Sequence, residues 1–218
     1  MAEERAFDPE TLAFYDREAS AYLAGHIQGG GEYLAGFLAL LPPRARVLEL
    51  GCGGGHDAET MIAAGLDVDA TDGTPALAAE ASRRLSRPVR VLRFDELDAS
   101  AAYDGVWASA CLLHVPSQHL PDILARIHRA LRPGGVHFAS YKATGREGRD
   151  RLGRWYNQLT AEDLVAAYCA VADWEVLSVD QRIGGGYDGV EVPWVGITVR
   201  KPEGGADAGV YAASSKLG

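Results

Sequence analysis

The sequence predicts an α/β fold: a largely parallel sheet with helices on both faces. Three observations predict it. From Arg46 onward, short apolar runs alternate with helix-like segments. A glycine-rich turn, GCGGG at 51–55, joins the first of those runs to the first of those helices. Near the end of the chain, two longer strand-like stretches flank the turn cluster GGGYDG, the pattern of an antiparallel hairpin.

Each element follows from local chemistry. Leu12, Tyr15, Ala19, Tyr22 and Leu23 recur at helical spacing, and Asp8 followed by Pro9 is an N-cap with a first-turn proline, so a helix is expected from Asp8 to about His26. A second helical stretch, Glu32 to Leu41, stops at Pro42-Pro43. RVLEL (46–50), LDVDAT (66–71), VRVL (89–92), YDGVWAS (103–109) and GVHFASY (135–141) read as strands. Their apolar character on successive residues is that of strands buried on both faces. His56–Ala64, Pro75–Leu85 and Leu120–Leu131 read as the helices between them. RPGG before the fifth strand is a helix stop. The charged, glycine-containing stretch 142–159 reads as a loop. Thr160 then caps a helix with Asp163 at its third position. The last strands are WEVLSVDQRI (174–183) and VEVPWVGITVR (190–200). One domain over 1–201, led by the helical segment 8–41 and trailed by a small polar tail at 202–218, is the expected organisation of the 218 residues.

Composition narrows the function. The formal net charge is −9, from 21 Lys+Arg against 30 Asp+Glu, which repels polyanions on average and disfavours a dedicated nucleic-acid binder. The three cysteines, Cys52, Cys111 and Cys169, are odd in number and lack CxxC spacing, so neither a disulfide framework nor a metal site is expected. No apolar run reaches the ~20 residues that span a bilayer, and MAEERAFDPE lacks the apolar centre of a signal peptide. The expected setting is a reduced cytoplasm.

The glycines at 51 and 53–55 sit between a buried strand and a helix. Residues without Cβ let that turn bend sharply and let a ligand approach bare backbone, with the helix N-terminus directed at it. Taken alone, such a turn is also compatible with no ligand at all. A pyrophosphate fingerprint, G-x-G-x-x-G, fits poorly because His56 stands where its last glycine belongs. Glu49, two residues before the first glycine, suits a cationic ligand better than an anionic one.

VLELGCGGG resembles the first motif of the class I S-adenosylmethionine-dependent methyltransferases, whose cofactor carries a sulfonium and an ammonium. DVDATDGTPAL, LRFDEL, YDGVWASACLLHVP and IHRALRPGGVHFAS follow in the family's order, so the resemblance covers roughly Tyr15 to Arg200. It implies a Rossmann-like seven-stranded sheet of order 3-2-1-4-5-7-6 with strand 7 antiparallel, and an N-terminal helical lid. It also implies a cofactor site. Glu49, Gly51 and Gly53 belong to its first motif, Asp72 and Gly73 to the ribose end, Asp95, Glu96 and Leu97 to the adenine end, and Ala110 to the turn after strand 4. Tyr15 and Tyr22, on the lid, reach toward the methionine carboxylate. By position alone, Asp72 also reads as a turn residue, Asp95 as an exposed loop acid, and the two tyrosines as core aromatics.

Methyl transfer is an in-line displacement that needs positioning and a dry pocket, with a base only where the nucleophile arrives protonated. His114, just past the fourth strand on the carboxyl edge, is the candidate base or substrate contact; packing against the next turn is its bland alternative. The loop after the fifth strand carries Lys142, Arg146, Arg149, Arg151 and Arg154, with Tyr141 and Tyr156 beside them. Tyr141, Lys142, Arg149, Arg154 and Tyr156 are the expected contacts of a small anionic acceptor. A solvated loop with internal ion pairs would look the same in sequence. The alternatives are a tRNA methyltransferase using the basic loop and a non-catalytic S-adenosylmethionine-binding protein.

Overall fold

The computed structural model describes residues 5–25 and 31–203. Seven strands form one sheet in the order β3-β2-β1-β4-β5-β9-β8. They are β1 (Arg46–Leu50), β2 (Asp67–Asp72), β3 (Arg90–Val91), β4 (Tyr103–Ala108), β5 (Leu131–Lys142), β8 (Glu175–Gly184) and β9 (Val192–Arg200). The first five pair in parallel, and β9 runs antiparallel to both β5 and β8. The sheet is the expected one, including its single reversed strand.

Two apolar layers cover it, and the strand pleat sorts residues between them. Leu48, Leu50, Val106, Ala108, Ala139 and Tyr141 face helices α5 (Leu120–Ala130) and α6 (Ala161–Val171). Val47, Trp107, Val136 and Phe138 face α2 (Gly31–Ala39), α3 (His56–Ala63) and α4 (Pro75–Leu85). Helix α1 (Pro9–Ala24) starts as expected, with Asp8 accepting from the Thr11 amide and Pro9 in the first turn. Thr160 likewise caps α6, accepting from the Asp163 amide. No described helix is long and apolar enough to cross a membrane.

Two details depart from expectation. β5 begins at Leu131 and takes in RPGG, with a pairing irregularity between Tyr103 and Gly105 on the neighbouring strand and Gly134 at φ +78°. The loop after β5 contains a short antiparallel ladder, β6 (Gly148–Arg149) with β7 (Trp155–Tyr156). His137, on β5, is wholly buried between the Val106 carbonyl (Nδ1···O 3.0 Å) and the Tyr168 hydroxyl (Nε2···Oη 2.9 Å). His26 and nearly all of the expected polar tail lie outside the described residues.

The arrangement positions a cleft. β1 has β2 on one side and β4 on the other, so the strand order reverses there, where open α/β sheets bind ligands at their carboxyl ends. Helix α1 lies across that edge as a lid. A Cβ on Gly54 would meet Leu23 at 2.5 Å, one on Gly73 would meet Leu12 at 3.2 Å, and one on Gly53 would meet Tyr22 at 3.8 Å.

Candidate active site

The glycine turn begins where β1 ends. Gly51 (φ +65°) and Gly53 (φ +53°) are left-handed, and a Cβ on Gly51 would stand 2.5 Å from that of Cys111. The Gly53 amide donates to Asp72 Oδ2 at 2.9 Å, while Asp72 Oδ1 accepts from the Thr74 amide and hydroxyl, each at 2.9 Å. Asp72 therefore ties the turn to the start of α4. Burial raises its pKa, against the pull of those hydrogen bonds.

Glu49 is buried, and its Oε2 has no hydrogen-bond partner. Burial, then the charges of Asp57 and Asp72, push its carboxyl well above the usual carboxylate range. A cation brought beside it would oppose that shift by favouring the ionised form.

Two adjoining cavities open above this turn. The larger, about 740 Å³, has Glu49, Gly51 and Gly53 among its walls, together with Ser140, Lys142, Arg154, Tyr156, Tyr187 and Trp194. The smaller, about 90 Å³, lies under α1 between Leu12, Asp72, Gly73, Arg93 and Phe94. Tyr15, Tyr22, Gly51, Gly53, Ala110 and His114 border both. Ala110 holds φ +52°, its amide donating to the Ser140 hydroxyl at 2.8 Å. A combined chamber of this size suits a cofactor and a small partner together.

A buried polar chain crosses the chamber. His114 Nδ1 is 2.6 Å from the Trp155 carbonyl, which can only accept, so Nδ1 carries the proton. Nε2 then accepts from the Tyr15 hydroxyl at 2.9 Å. The same tyrosine oxygen accepts from Arg154 Nη1 at 2.9 Å. Burial lowers the His114 pKa to about 4 and raises that of Tyr15 to about 12, so both are neutral near pH 7. Arg154, 1% exposed, is gripped by Asp150 Oδ2 through Nε (3.0 Å) and Nη2 (2.7 Å) and is ringed by Phe14, Tyr15, Tyr156 and Tyr187 at 5.2–5.7 Å. Lys142, also buried, lies 4.6 Å over the Tyr156 ring.

Several expected site residues stand elsewhere. Tyr141 is fully buried and points to the α6 side, its hydroxyl 3.1 Å from that of Tyr168; the pleat turns Ser140 and Lys142 toward the cavity instead. Arg149 binds Asp8 through both Nη atoms at 2.9 Å, and also Glu10, so it fastens the loop to the start of α1. Arg151 donates to the Asp188 carbonyl at 2.6 Å, and Arg146 is exposed. Asp95 pairs with Arg93, Glu96 accepts from the Arg93 amide, and Leu97 lies in the core; the cavity wall there is Arg93 and Phe94. Asp150, Phe94, Tyr187 and Asp188 were not anticipated. Asp150, at i−4 from Arg154, is the one whose spacing could have signalled its partner.

A family model described as a methyltransferase domain matches residues 15–172. The 1,6-didemethyltoxoflavin-N1-methyltransferase of Burkholderia thailandensis, solved with 1,6-didemethyltoxoflavin and S-adenosylhomocysteine, superposes with a TM-score of 0.72 at 25% identity, over 93% of each chain. Curated relatives include Hemagglutinin 1 of Eikenella corrodens, 31% identical over 145 residues (64% of this chain, 47% of that one). They also include the ubiquinone biosynthesis O-methyltransferase of Xanthomonas campestris pv. campestris, 34% identical over 119 residues (50% of this chain, 47% of that one). The chain thus spans about half the length of these curated relatives. With the family model covering most of the chain and the sheet order matching, the chain belongs to the class I S-adenosylmethionine-dependent methyltransferases.

Proposed function

We propose that the chain transfers a methyl group from S-adenosylmethionine to a small anionic metabolite. One observation carries this reading: the larger cavity has a buried carboxyl with one unpartnered oxygen, that of Glu49, in one wall and two buried cations, Lys142 and Arg154, in another. The first suits a cationic donor and the second an anionic acceptor. Small-molecule acceptors are also what the Burkholderia and ubiquinone-biosynthesis relatives suggest by name.

The residues present fit the cofactor. Glu49, Gly51, Gly53 and Ala110 would hold its amino-acid end, Asp72 and Gly73 its ribose, and Phe94 its adenine, with Asp95 on the same short 3-10 turn. Tyr22 closes the lid over Gly53. When bound, S-adenosylmethionine supplies a methyl group on a sulfonium leaving group. The chain's own residues position the nucleophile and exclude water. With His114 near 4 and Tyr15 near 12, moving the Tyr15 proton onto His114 is strongly uphill. His114 thus orients the Tyr15 hydroxyl rather than serving as a strong base, and the nucleophile arrives ionised or as a neutral lone pair. Lys142 and Arg154 favour the ionised form. The acidic net charge weighs against an RNA acceptor, and the three free cysteines fit a reduced cytoplasmic setting.

The test is incubation of the purified chain and a metabolite extract with isotopically methyl-labelled donor. The expected result is one labelled small molecule. Label appearing only in RNA, or none transferred despite donor binding, overturns the acceptor class or the catalytic reading respectively.

A further inference from the structure

The two buried ion pairs of the chamber differ in kind. Arg154 and Asp150 are four residues apart, joined at 2.7 and 3.0 Å, and the other Asp150 oxygen accepts the amides of Leu152 and Arg154. That pair is built into its own loop. Lys142 Nζ instead stands 3.4 Å from each oxygen of Asp188, well beyond the 2.7–2.9 Å of a close charge-assisted bond. Asp188 comes from the glycine loop between β8 and β9, where Gly184, Gly185, Gly186, Tyr187 and Gly189 also line the larger cavity. Both side chains are nearly enclosed, at 6% and 7% exposure. Burial alone would raise the Asp188 pKa, but Lys142 and hydrogen bonding keep it below its usual value, so it is ionised.

Charge balance gives this pair a consequence. The buried cations Lys142 and Arg154 are matched by Asp188 and Asp150, so the buried charges balance while Asp188 stays on Lys142; Arg182, a further cation lining the larger cavity, is exposed and screened by solvent. A buried anion added to that balanced set has no free countercharge to offset its desolvation unless one resident carboxylate withdraws. Arg154 is held by short bonds and ringed by aromatics, whereas Lys142 is held at 3.4 Å; the Asp188 carboxylate takes a further long bond from the Val190 amide, also at 3.4 Å, while the short bond from Arg151 goes to the Asp188 backbone carbonyl and not to its side chain. The aromatic faces of Tyr156 and Trp194, which would otherwise receive a cationic acceptor, already carry Lys142.

We propose that Lys142 is the residue that recognises the acceptor's negative charge, and that Asp188 is a built-in occupant of that site which a monoanionic acceptor must displace. This rests on the methyltransferase reading and deepens it: the acceptor carries a carboxylate or an equivalent oxyanion that meets the Lys142 ammonium. A neutral molecule leaves Asp188 in place, and a cation finds the faces of Tyr156 and Trp194 already taken by Lys142.

The experiment uses the full chain with saturating S-adenosylhomocysteine and titrates benzoate and its neutral counterpart benzamide, following heat or tryptophan fluorescence. The readout is the ratio of the two affinities. Asp188→Asn raises the preference for benzoate by about tenfold. Lys142→Met abolishes it, and Lys142→Arg restores much of it. Asp188→Ala stands in for Asp188→Asn if the latter is misfolded by circular dichroism, and the double variant Lys142→Met/Asp188→Asn avoids leaving a lone buried charge. An unchanged ratio in the Asp188 variants, a preference that survives Lys142→Met, or no benzoate binding to any variant overturns the proposal. S-adenosylhomocysteine failing to bind the wild type would instead bring down the methyltransferase reading on which it rests.

Discussion

Glu49 shows how one side chain reports on its missing partner. Its carboxyl is held in the protonated direction by burial and by two neighbouring acids, and one oxygen is unsatisfied. A cationic cofactor favours the ionised form, so binding expels a proton and strengthens as pH rises through the elevated pKa. Calorimetry of S-adenosylmethionine binding over a series of pH values, each in two buffers whose ionisation heats differ, should give different apparent enthalpies in the two buffers wherever Glu49 is protonated in the free chain. Glu49→Gln should remove that difference; equal enthalpies for the wild type would mean Glu49 does not meet the cofactor's charge. Asp72 has a double duty that sequence alone did not separate. It accepts three hydrogen bonds that join the glycine turn to α4, and it walls the smaller cavity. Asp72→Ala should weaken cofactor binding by ~1–3 kcal/mol and also lower the melting temperature. Normal affinity in a destabilised variant would leave Asp72 a purely structural residue.

At the scale of elements, the loop after β5 and helix α1 form one closed unit. Arg149 reaches Asp8, the Trp155 amide donates to the Thr11 hydroxyl at 2.8 Å, and Arg154 reaches Tyr15. These links differ in worth. Asp150→Ala strands the Arg154 charge in an enclosed site and should cost about 3–5 kcal/mol in urea unfolding. Arg149→Ala removes a half-exposed arginine from the buried Asp8, which keeps its bonds from Thr11, and should cost less, about 1–2 kcal/mol. Comparable losses in the two variants would show that Arg154 is not electrostatically enclosed. The same loop marks the limit of what sequence disclosed. The parallel strands, the glycine turn, both helix caps and the final hairpin were legible because each rests on local pattern. The basic loop read as a cluster facing an acceptor because its carboxylate partners, Asp8, Glu10 and Asp188, are distant in sequence. Tyr141 and Lys142 could not be assigned to faces, since β5 is buried on both sides and an unbroken apolar run does not reveal the phase of its pleat.

For the whole molecule, two neutral histidines lie wholly or largely enclosed on opposite sides of the functional question: His114 within the chamber, and His137 in the core among Val106, Tyr168 and Trp174. Burial lowers both pKa values to about 4, against an ordinary value of 6.5. In that interval the unfolded chain takes up protons that the folded chain refuses, so stability from these groups is fully present above about pH 6.5 and is lost as pH falls toward 4. Glu49 and Asp72, raised rather than lowered, act in the opposite sense: each costs stability in full above its folded pKa, and that cost shrinks as pH falls below the folded pKa and is gone below the unfolded value. The net curve therefore mixes two trends, and a single substitution separates them. His137→Gln keeps a donor for the Val106 carbonyl and an acceptor for the Tyr168 hydroxyl but cannot titrate. Urea unfolding of wild type and variant at a series of pH values should show the stability difference moving toward the variant by up to about 3 kcal/mol between pH 6.5 and 4. Because His137 lies outside both cavity walls, the shift belongs to folding rather than to ligand binding. Parallel pH profiles for the two proteins would mean that His137 takes up its proton as readily in the fold as in the unfolded chain, and that the buried chain from Val106 through Tyr168 to Tyr141 tolerates a charge at its centre.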